Sequence, residues 1–369
     1  MMRTSWAWFG AFLTLSAPLV APRSESQSPY RAALPGYHFV FPRDNFNHPD
    51  FQTEWWYYTG NLQSRDGRAF GFELTFFREG VARDADVTSP WQIEDVYLAH
   101  LALTDLSGRQ YLSTERLNRA GPGLAGAELD QHRIWNGNWN VERGGDTQTL
   151  RAVADRFTLA LTLQSLKPPV INGVDGVSQK SEERGYASYY ISLTRLETNG
   201  EISLDGKTYN VEGVSWMDHE FFSELLDQAQ AGWDWFSLEF DDGTELMLYE
   251  LRRRDGMVDP YSAGTYVDTS GRARHLRATD FQLEPGRKWT SPATHATYPI
   301  AWRVSVPSLA LTLDVTTPLE TQEFVSGTRF APSYWEGAIR AKGIKLGSPI
   351  AGGGYLEMTG YDHAVHLIQ

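Results

Sequence analysis

The sequence contains no cysteine. That absence excludes disulfides, thiolate metal sites, thioether-linked haem, a cysteine nucleophile and the lipid-modified cysteine of a bacterial lipoprotein. Basic charge is also scarce. There are 33 Lys and Arg against 46 Asp and Glu, a net charge of −13. Binding polyphosphate needs the opposite balance, so no nucleic-acid partner is expected. The chain has no H-E-x-x-H, no G-x-S-x-G, no G-x-G-x-x-G and no Asp-rich calcium loop, and of its nine His only His363 and His366 lie close together. No metal and no cofactor are expected. Heptads are missing, and a long apolar run occurs once, over residues 6–21 after the lone charge Arg3. A short basic start followed by ~15 apolar residues is the pattern of a secretory signal peptide, shorter than the ~20 residues of a membrane span. The reading is residues 1–21 as signal peptide with cleavage near Ala17 or Ala21, residues 22–36 as linker, and a periplasmic mature protein with no remaining span.

What the chain does have is aromatics, 13% of its 369 residues with 13 Trp, and alternation. Phe70, Phe72, Leu74 and Phe76 alternate with Gly71, Glu73, Thr75 and Phe77, a period of two that predicts a strand. Residues 96–104, 158–163 and 189–196 read the same way. Asp-Gly and Asn-Gly pairs at Asp66, Asn136, Asn199, Asp205 and Asp242 mark hairpin turns. Short helices are expected only over residues 120–130 and 218–230. Aligning Gly67 with Gly243 superposes Leu62 on Leu238, Phe70 on Leu246, Phe72 on Leu248 and Arg78 on Arg254, each copy opening on an aromatic cluster. The pattern predicts an all-β protein of two related antiparallel barrels, residues 37–207 and 208–369, with the boundary near residues 204–211.

Four places could carry chemistry. In Glu54-Trp55-Trp56-Tyr57-Tyr58, strand geometry puts Glu54, Trp56 and Tyr58 on one face and Trp55 and Tyr57 on the other. Glu54 is either an acid raised by desolvation between indoles or the partner of an arginine such as Arg78. In Trp216-Met217-Asp218-His219-Glu220-Phe221-Phe222, Asp218 is either a desolvated acid tuned by His219 or the N-cap of a helix. His100, within an apolar run, is either a satisfied core residue or a catalyst. Gly352-Gly353-Gly354 lacks the Lys-Ser/Thr of a phosphate loop, so it reads as the start of a barrel-closing strand.

Taken together, Glu54-Trp55-Trp56-Tyr57-Tyr58-Thr59-Gly60, Phe76-Phe77-Arg78, the string from Gly213 to Glu220, Gly232-Trp233-Asp234-Trp235-Phe236, Tyr334-Trp335-Glu336-Gly337 and the string from Gly354 to Tyr361 resemble the AttH-like / hydroxyneurosporene synthase (carotenoid 1,2-hydratase) family over about residues 37–363. The resemblance implies two tandem lipocalin-like antiparallel β-barrel domains. It implies export, an association with ABC-transporter permeases, and relatives that include hydratases and pericyclic cyclases. Asp218 matches the position whose acid protonates a terminal C=C in the carotenoid hydratases.

Besides a structural scaffold whose collapsed barrels are full of side chains, two functions follow. One is a barrel that binds an apolar lipid or isoprenoid ligand without chemistry. The other is cofactor-free acid catalysis on an isoprenoid or polyene C=C, with Asp218 as donor, His219 and Glu54 beside it, and Trp56, Tyr58, Arg78, His100, Trp216, Trp233 and Trp235 around the ligand. An Asp218 that opens into an apolar cavity favours catalysis. One that pairs with Arg254 or caps a helix does not.

Overall fold

The computed structural model describes residues 28–81, 93–327 and 332–365. The apolar N-terminal run therefore lies outside the described residues. No helix among the described residues is long and apolar enough to cross a membrane.

Two large antiparallel sheets carry the structure. In the first, strand Thr53–Ser64 pairs on one side with Ala69–Gly80, which continues through Asp95–Asp105 to Gln110–Arg119, and on the other with Lys207–Phe222 and then Ala187–Leu204. The second repeats this order. Gln230–Phe240 pairs with Glu245–Arg253, then Ala263–Val267 and Ala273–Arg277, and on its other side with Ser348–Thr359 and Tyr334–Lys345. In both, the first strand pairs with the last, which rolls the sheet towards closure. The hairpins turning at Gly67 and Gly243 are thus the same element of two copies, both all-β and lipocalin-like.

Three expectations are corrected. The chain does not change barrel near residues 204–211. Asp205 and Gly206 both have positive φ, 49° and 80°, which is a two-residue hairpin turn joining Ala187–Leu204 to Lys207–Phe222 inside the first sheet. The crossing lies between Phe222 and Gln230. Residues 218–222 are strand, not helix, because their alternation continues in register with Thr53–Ser64; residues 120–130 hold a short strand, Ala125–Glu128, and turns. The described part of the expected linker packs on the first barrel: Ala33 is buried with Phe51, Tyr189 and Phe221, and the Leu34 N–H donates to the Tyr189 hydroxyl at 2.9 Å.

Alternation decides what each face holds. In the first barrel, Trp56, Tyr58, Phe70, Phe72, Leu74 and Phe76 point inward and fill the lumen. The second lumen is filled by Phe236, Leu238, Leu246, Leu248, Trp302 and Trp335. The outer faces of the two sheets meet in a third cluster, built on Tyr57, Tyr190 and Trp216 from one side and Trp235, Tyr249 and Tyr355 from the other. Gly71 permits their closest approach. A Cβ there would lie 2.5 Å from the Tyr355 hydroxyl and 3.1 Å from the Ala338 Cβ. Direct bonds lock the interface: the Tyr57 hydroxyl donates to Glu336 at 2.6 Å, Asn61 Nδ2 to the Gly354 carbonyl at 2.9 Å, and Trp235 Nε1 to the Tyr190 hydroxyl at 2.9 Å.

Candidate functional site between the barrels

The same outer faces enclose a cavity of about 270 Å³ with an overwhelmingly apolar lining. Both sheets contribute: Trp55, Phe77 and Leu98 from the first barrel, Trp233, Trp235 and Leu251 from the second. The aromatic cavity lies between the barrels; a second, more polar cavity at the first barrel is lined by Phe46, Arg143, Gln148 and Leu193.

Cross-strand register builds the polar part of the wall. Ser192 faces Asp218, Asp218 faces Tyr57, Tyr57 faces Thr75, Thr75 faces His100 and His100 faces Glu115. All share the outer face by the period-two rule. The second barrel answers with a row of Tyr249, Trp235, Glu357 and Glu336.

Asp218 neither pairs with Arg254 nor caps a helix. It is buried at the cavity wall, where the Ser192 hydroxyl and the Trp216 indole donate to Oδ1 at 2.5 and 2.7 Å and the Tyr190 hydroxyl donates to Oδ2 at 2.5 Å. Burial pushes its carboxyl up and these three donors pull it back, which leaves it at about 7, poised to gain or lose a proton near neutrality. Its neighbours are acids too. Burial raises Glu73 to about 7 and Glu79 to about 8, while burial and the charge of Glu73 raise Glu357 to about 8 and Glu336 well above the usual range. Lys180 is the one ammonium in the lining, 3.8 Å from Glu220. Acids packed this densely cannot all ionise together in an apolar space, so near neutrality a share of them is protonated and the rest are carboxylates.

Strand alternation divides the other predicted residues. His100, Trp233 and Trp235 line the cavity with Asp218, and Trp216 lies behind it, holding Asp218. His219 does not join Asp218. One residue further along the strand, it faces the first lumen, where its Nε2 meets Glu54 Oε1 at 2.8 Å and its ring stacks on Trp56. Glu54 also meets His48 Nδ1 at 2.7 Å and the Arg78 guanidinium at 3.1 Å. Burial pushes Glu54 up, but His48, His219 and Arg78 outweigh it and hold its carboxyl well below the usual range. The catalytic reading of Glu54 and His219 and the ligand-binding reading of Trp56, Tyr58 and Arg78 are thus displaced by a structural one. Tyr58 reaches only Gln148 and Arg143 within the first barrel. His48, Glu54 and His219 are the one set of metal-ligand type among the described residues. His48 Nδ1 and His219 Nε2 each lie at hydrogen-bond distance from Glu54 Oε1, and the Arg78 guanidinium holds Oε2.

Sequence reasoning passed over Trp55, Tyr57, Glu73, Lys180, Tyr190, Tyr334 and Glu357. The signal for Glu73 was available. In the alternating strand of residues 70–77 it lies on the face opposite the phenylalanines, in line with Thr75 and Phe77.

The matching family model is that of the AttH-like proteins, over residues 32–361. The chain belongs to the AttH-like family. An AttH homologue from Nitrosomonas europaea is 33% identical, covers 90% of this chain and 99% of its own, and superposes with a TM-score of 0.79. Kievitone hydratase from Nectria haematococca superposes at 0.68 with 14% identity, covering 91% of this chain and 98% of its own. CghA superposes at 0.56 with 13% identity, covering 92% and 97%. At these identities the last two show the shared fold of the AttH-like chain. No curated protein matches the sequence significantly.

The buried acids set a pH dependence of stability for this AttH-like chain. Asp218, Glu73, Glu79 and Glu357 have folded pKa values of about 7 to 8, above their unfolded values, so the folded state binds more protons than the unfolded one between pH ~4 and ~8. Their stabilisation is complete below the unfolded values and is lost as pH rises through 7 to 8. Glu54 is held low and acts in the opposite sense, losing its contribution only below pH ~4. Calorimetry from pH 5 to 9 is expected to show a Tm that falls from pH 5 to about 8 and levels off above it. A Tm that rises over that range contradicts the assignment.

Proposed function

We propose that this AttH-like protein binds an apolar, alkene-bearing small molecule, of lipid or isoprenoid type, between its barrels and acts on it by cofactor-free acid catalysis. The observation that carries the reading is Asp218: a buried carboxyl on the wall of an aromatic cavity, held by three neutral donors and, among the described residues, by no cation. A carboxyl needed only for structure is normally paired, as Glu54 is.

The chemistry balances without a cofactor. The π pair of the alkene takes the proton of Asp218, forming a C–H bond and leaving the carboxylate, which Ser192, Trp216 and Tyr190 stabilise. The cation on the neighbouring carbon faces Trp55, Trp233 and Trp235, and a desolvated ring contact is worth about 2 kcal/mol. A water oxygen then bonds to that carbon and its proton passes to a carboxylate of the lining. If the π pair of a second double bond reaches the cation first, a ring closes, and the new cation on the far carbon then loses a neighbouring proton to the Asp218 carboxylate or takes up water. The fold shared with kievitone hydratase is consistent with this chemistry.

Export to the periplasm belongs to the same proposal, supported by Arg3 and the apolar run of residues 6–21; an ABC-transporter permease as partner rests on the family resemblance alone. The test expresses the full chain in a bacterium, recovers it from the periplasmic fraction, denatures it and identifies what is released by mass spectrometry. A processed protein carrying a stoichiometric unsaturated compound is expected. Leu98→Trp, which fills the cavity, is expected to come out empty. Loss of ~60 Å² of apolar contact alone weakens binding about tenfold. An empty wild type, or a Leu98→Trp variant as loaded as wild type, removes the cavity from the account.

A further inference from the structure

Glu73 accepts from the Thr75 hydroxyl at 3.0 Å and bonds Tyr334, which with His100 also lines the cavity and leads on to Glu115 outside it. The Tyr334 hydroxyl, from the second barrel, lies 2.9 Å from Glu73 Oε1 and 2.6 Å from His100 Nδ1. On the far side of the imidazole, His100 Nε2 is buried without a hydrogen-bond partner, and the nearest carboxylate oxygen is Glu115 Oε2 at 3.6 Å. Glu115 stands on Gln110–Arg119, the outermost strand of its sheet; its side chain is 16% exposed, and Ser326 Oγ and the Gly327 N–H hold it at 3.0 and 2.9 Å. Stacking on Phe324 at 4.2 Å fixes the His100 ring. A hydrogen-bonding gap of 3.6 Å is too short to admit a water and needs only a few tenths of an ångström to close.

We infer that Glu73, Tyr334, His100 and Glu115 form a proton relay between the interdomain cavity and solvent, with Glu73 as the carboxylate that takes the proton of the attacking water. The second half of the inference rests on the acid-catalysis reading. The relay itself does not.

Two protonation patterns fit one set of heavy atoms. In the first, protonated Glu73 donates to the Tyr334 oxygen, Tyr334 donates to His100 Nδ1 and His100 Nε2–H points at the Glu115 carboxylate. In the second, Tyr334 donates to the Glu73 carboxylate, His100 Nδ1–H donates to the Tyr334 oxygen and Nε2 accepts from protonated Glu115. Passing from the first to the second moves three hydrogens by one bond each and carries one proton from Glu73 to Glu115, which releases it to water. Charge is conserved at every step because His100 stays neutral at both ends. Burial supports that neutrality by pushing the imidazole down to about 3.

Position suits the role. Glu73 stands two strands from Asp218, roughly 10 Å across the sheet, with Tyr57 on the strand between them. A ligand lying over Tyr57 thus has a proton donor at one end and an acceptor at the other. Each turnover leaves Glu73 protonated and Asp218 ionised; the relay returns the first proton to water and Asp218 takes up another from water, so the cycle closes with no net proton.

The test is a pH jump followed by time-resolved infrared absorption of the protonated carboxyl band of Glu73, identified as the band lost in Glu73→Gln. It needs no ligand and no turnover, so its outcome is separate from that of the catalytic proposal. In wild type the band is expected to follow the jump. In Tyr334→Phe and in His100→Phe it is expected to reach the same final amplitude at least tenfold more slowly, and in Glu115→Gln likewise. A purely structural role for these residues shifts the band or unfolds the protein without separating rate from amplitude. If one variant does not fold, the other two carry the comparison. Equal rates in wild type and variants overturn the relay and send the proton through the cavity mouth.

Discussion

Asp218→Asn is expected to lower turnover by roughly 10²–10⁴-fold, the usual contribution of a positioned general acid, while ligand affinity changes little. The asymmetry follows from the surroundings. Asparagine keeps the shape of the side chain, its carbonyl still accepts from Ser192 and Trp216, and its amide can meet the Tyr190 oxygen, so the cavity wall is preserved. Only the transferable proton is lost. For the wild type, the donor form of Asp218 predominates below about 7 and disappears above it, so the rate is expected to fall as pH rises through that value. Single-turnover kinetics on the compound released from the protein, with affinity measured by quenching of Trp55, Trp233 and Trp235, check both parts. A variant that keeps more than about a tenth of wild-type turnover leaves Asp218 without a catalytic role.

The largest effect on stability is expected at Arg78. Its fully buried guanidinium bonds Glu54 at 3.1 Å, Asp95 at 2.9 Å and the carbonyls of His48 and Phe51 at 3.0 and 2.7 Å. Arg78→Met leaves two carboxylates and two carbonyls without that partner. Removing one side of a buried ion pair costs about 3–5 kcal/mol. For a domain of this size that corresponds to a fall in Tm on the order of 10 °C. Adding Glu54→Gln is expected to recover part of the loss, because the neutral amide no longer needs the cation. Melts followed by circular dichroism test this, and the protein that remains folded is expected to keep its turnover. A melt within 2 °C of wild type would make the network a bystander.

These two residues mark where the sequence was legible and where it was not. The all-β class, the duplication across Gly67 and Gly243, and the closing strand after Gly352 could be read because period-two alternation and Asp-Gly turns are local signals. The pairing of Glu54 with Arg78 was one of the two local readings, and the burial of both decides it. The cavity was not legible, because it lies between two outer sheet faces whose contact depends on how the barrels dock. The sequence shows that Glu54, Trp56 and Tyr58 share a face, but not which face becomes the lumen. Once Trp56 and Tyr58 point inward, Trp55 and Tyr57 must point to the interface, and the aromatic wall moves to the residues set aside. The same single-residue step separates Asp218 from His219, which sequence adjacency had joined. The domain boundary was misplaced for a related reason: a hairpin turn inside a barrel and a link between barrels look alike where both are short and polar.

The most direct measurement is the crystal structure of Asp218→Asn purified with its retained ligand. The account predicts density between the barrels, with an unsaturated carbon about 3–3.5 Å from the side chain at position 218 and the rings of Trp233 and Trp235 against the neighbouring carbon. A ligand inside either barrel lumen, or one between the barrels whose double bonds lie away from position 218, contradicts it.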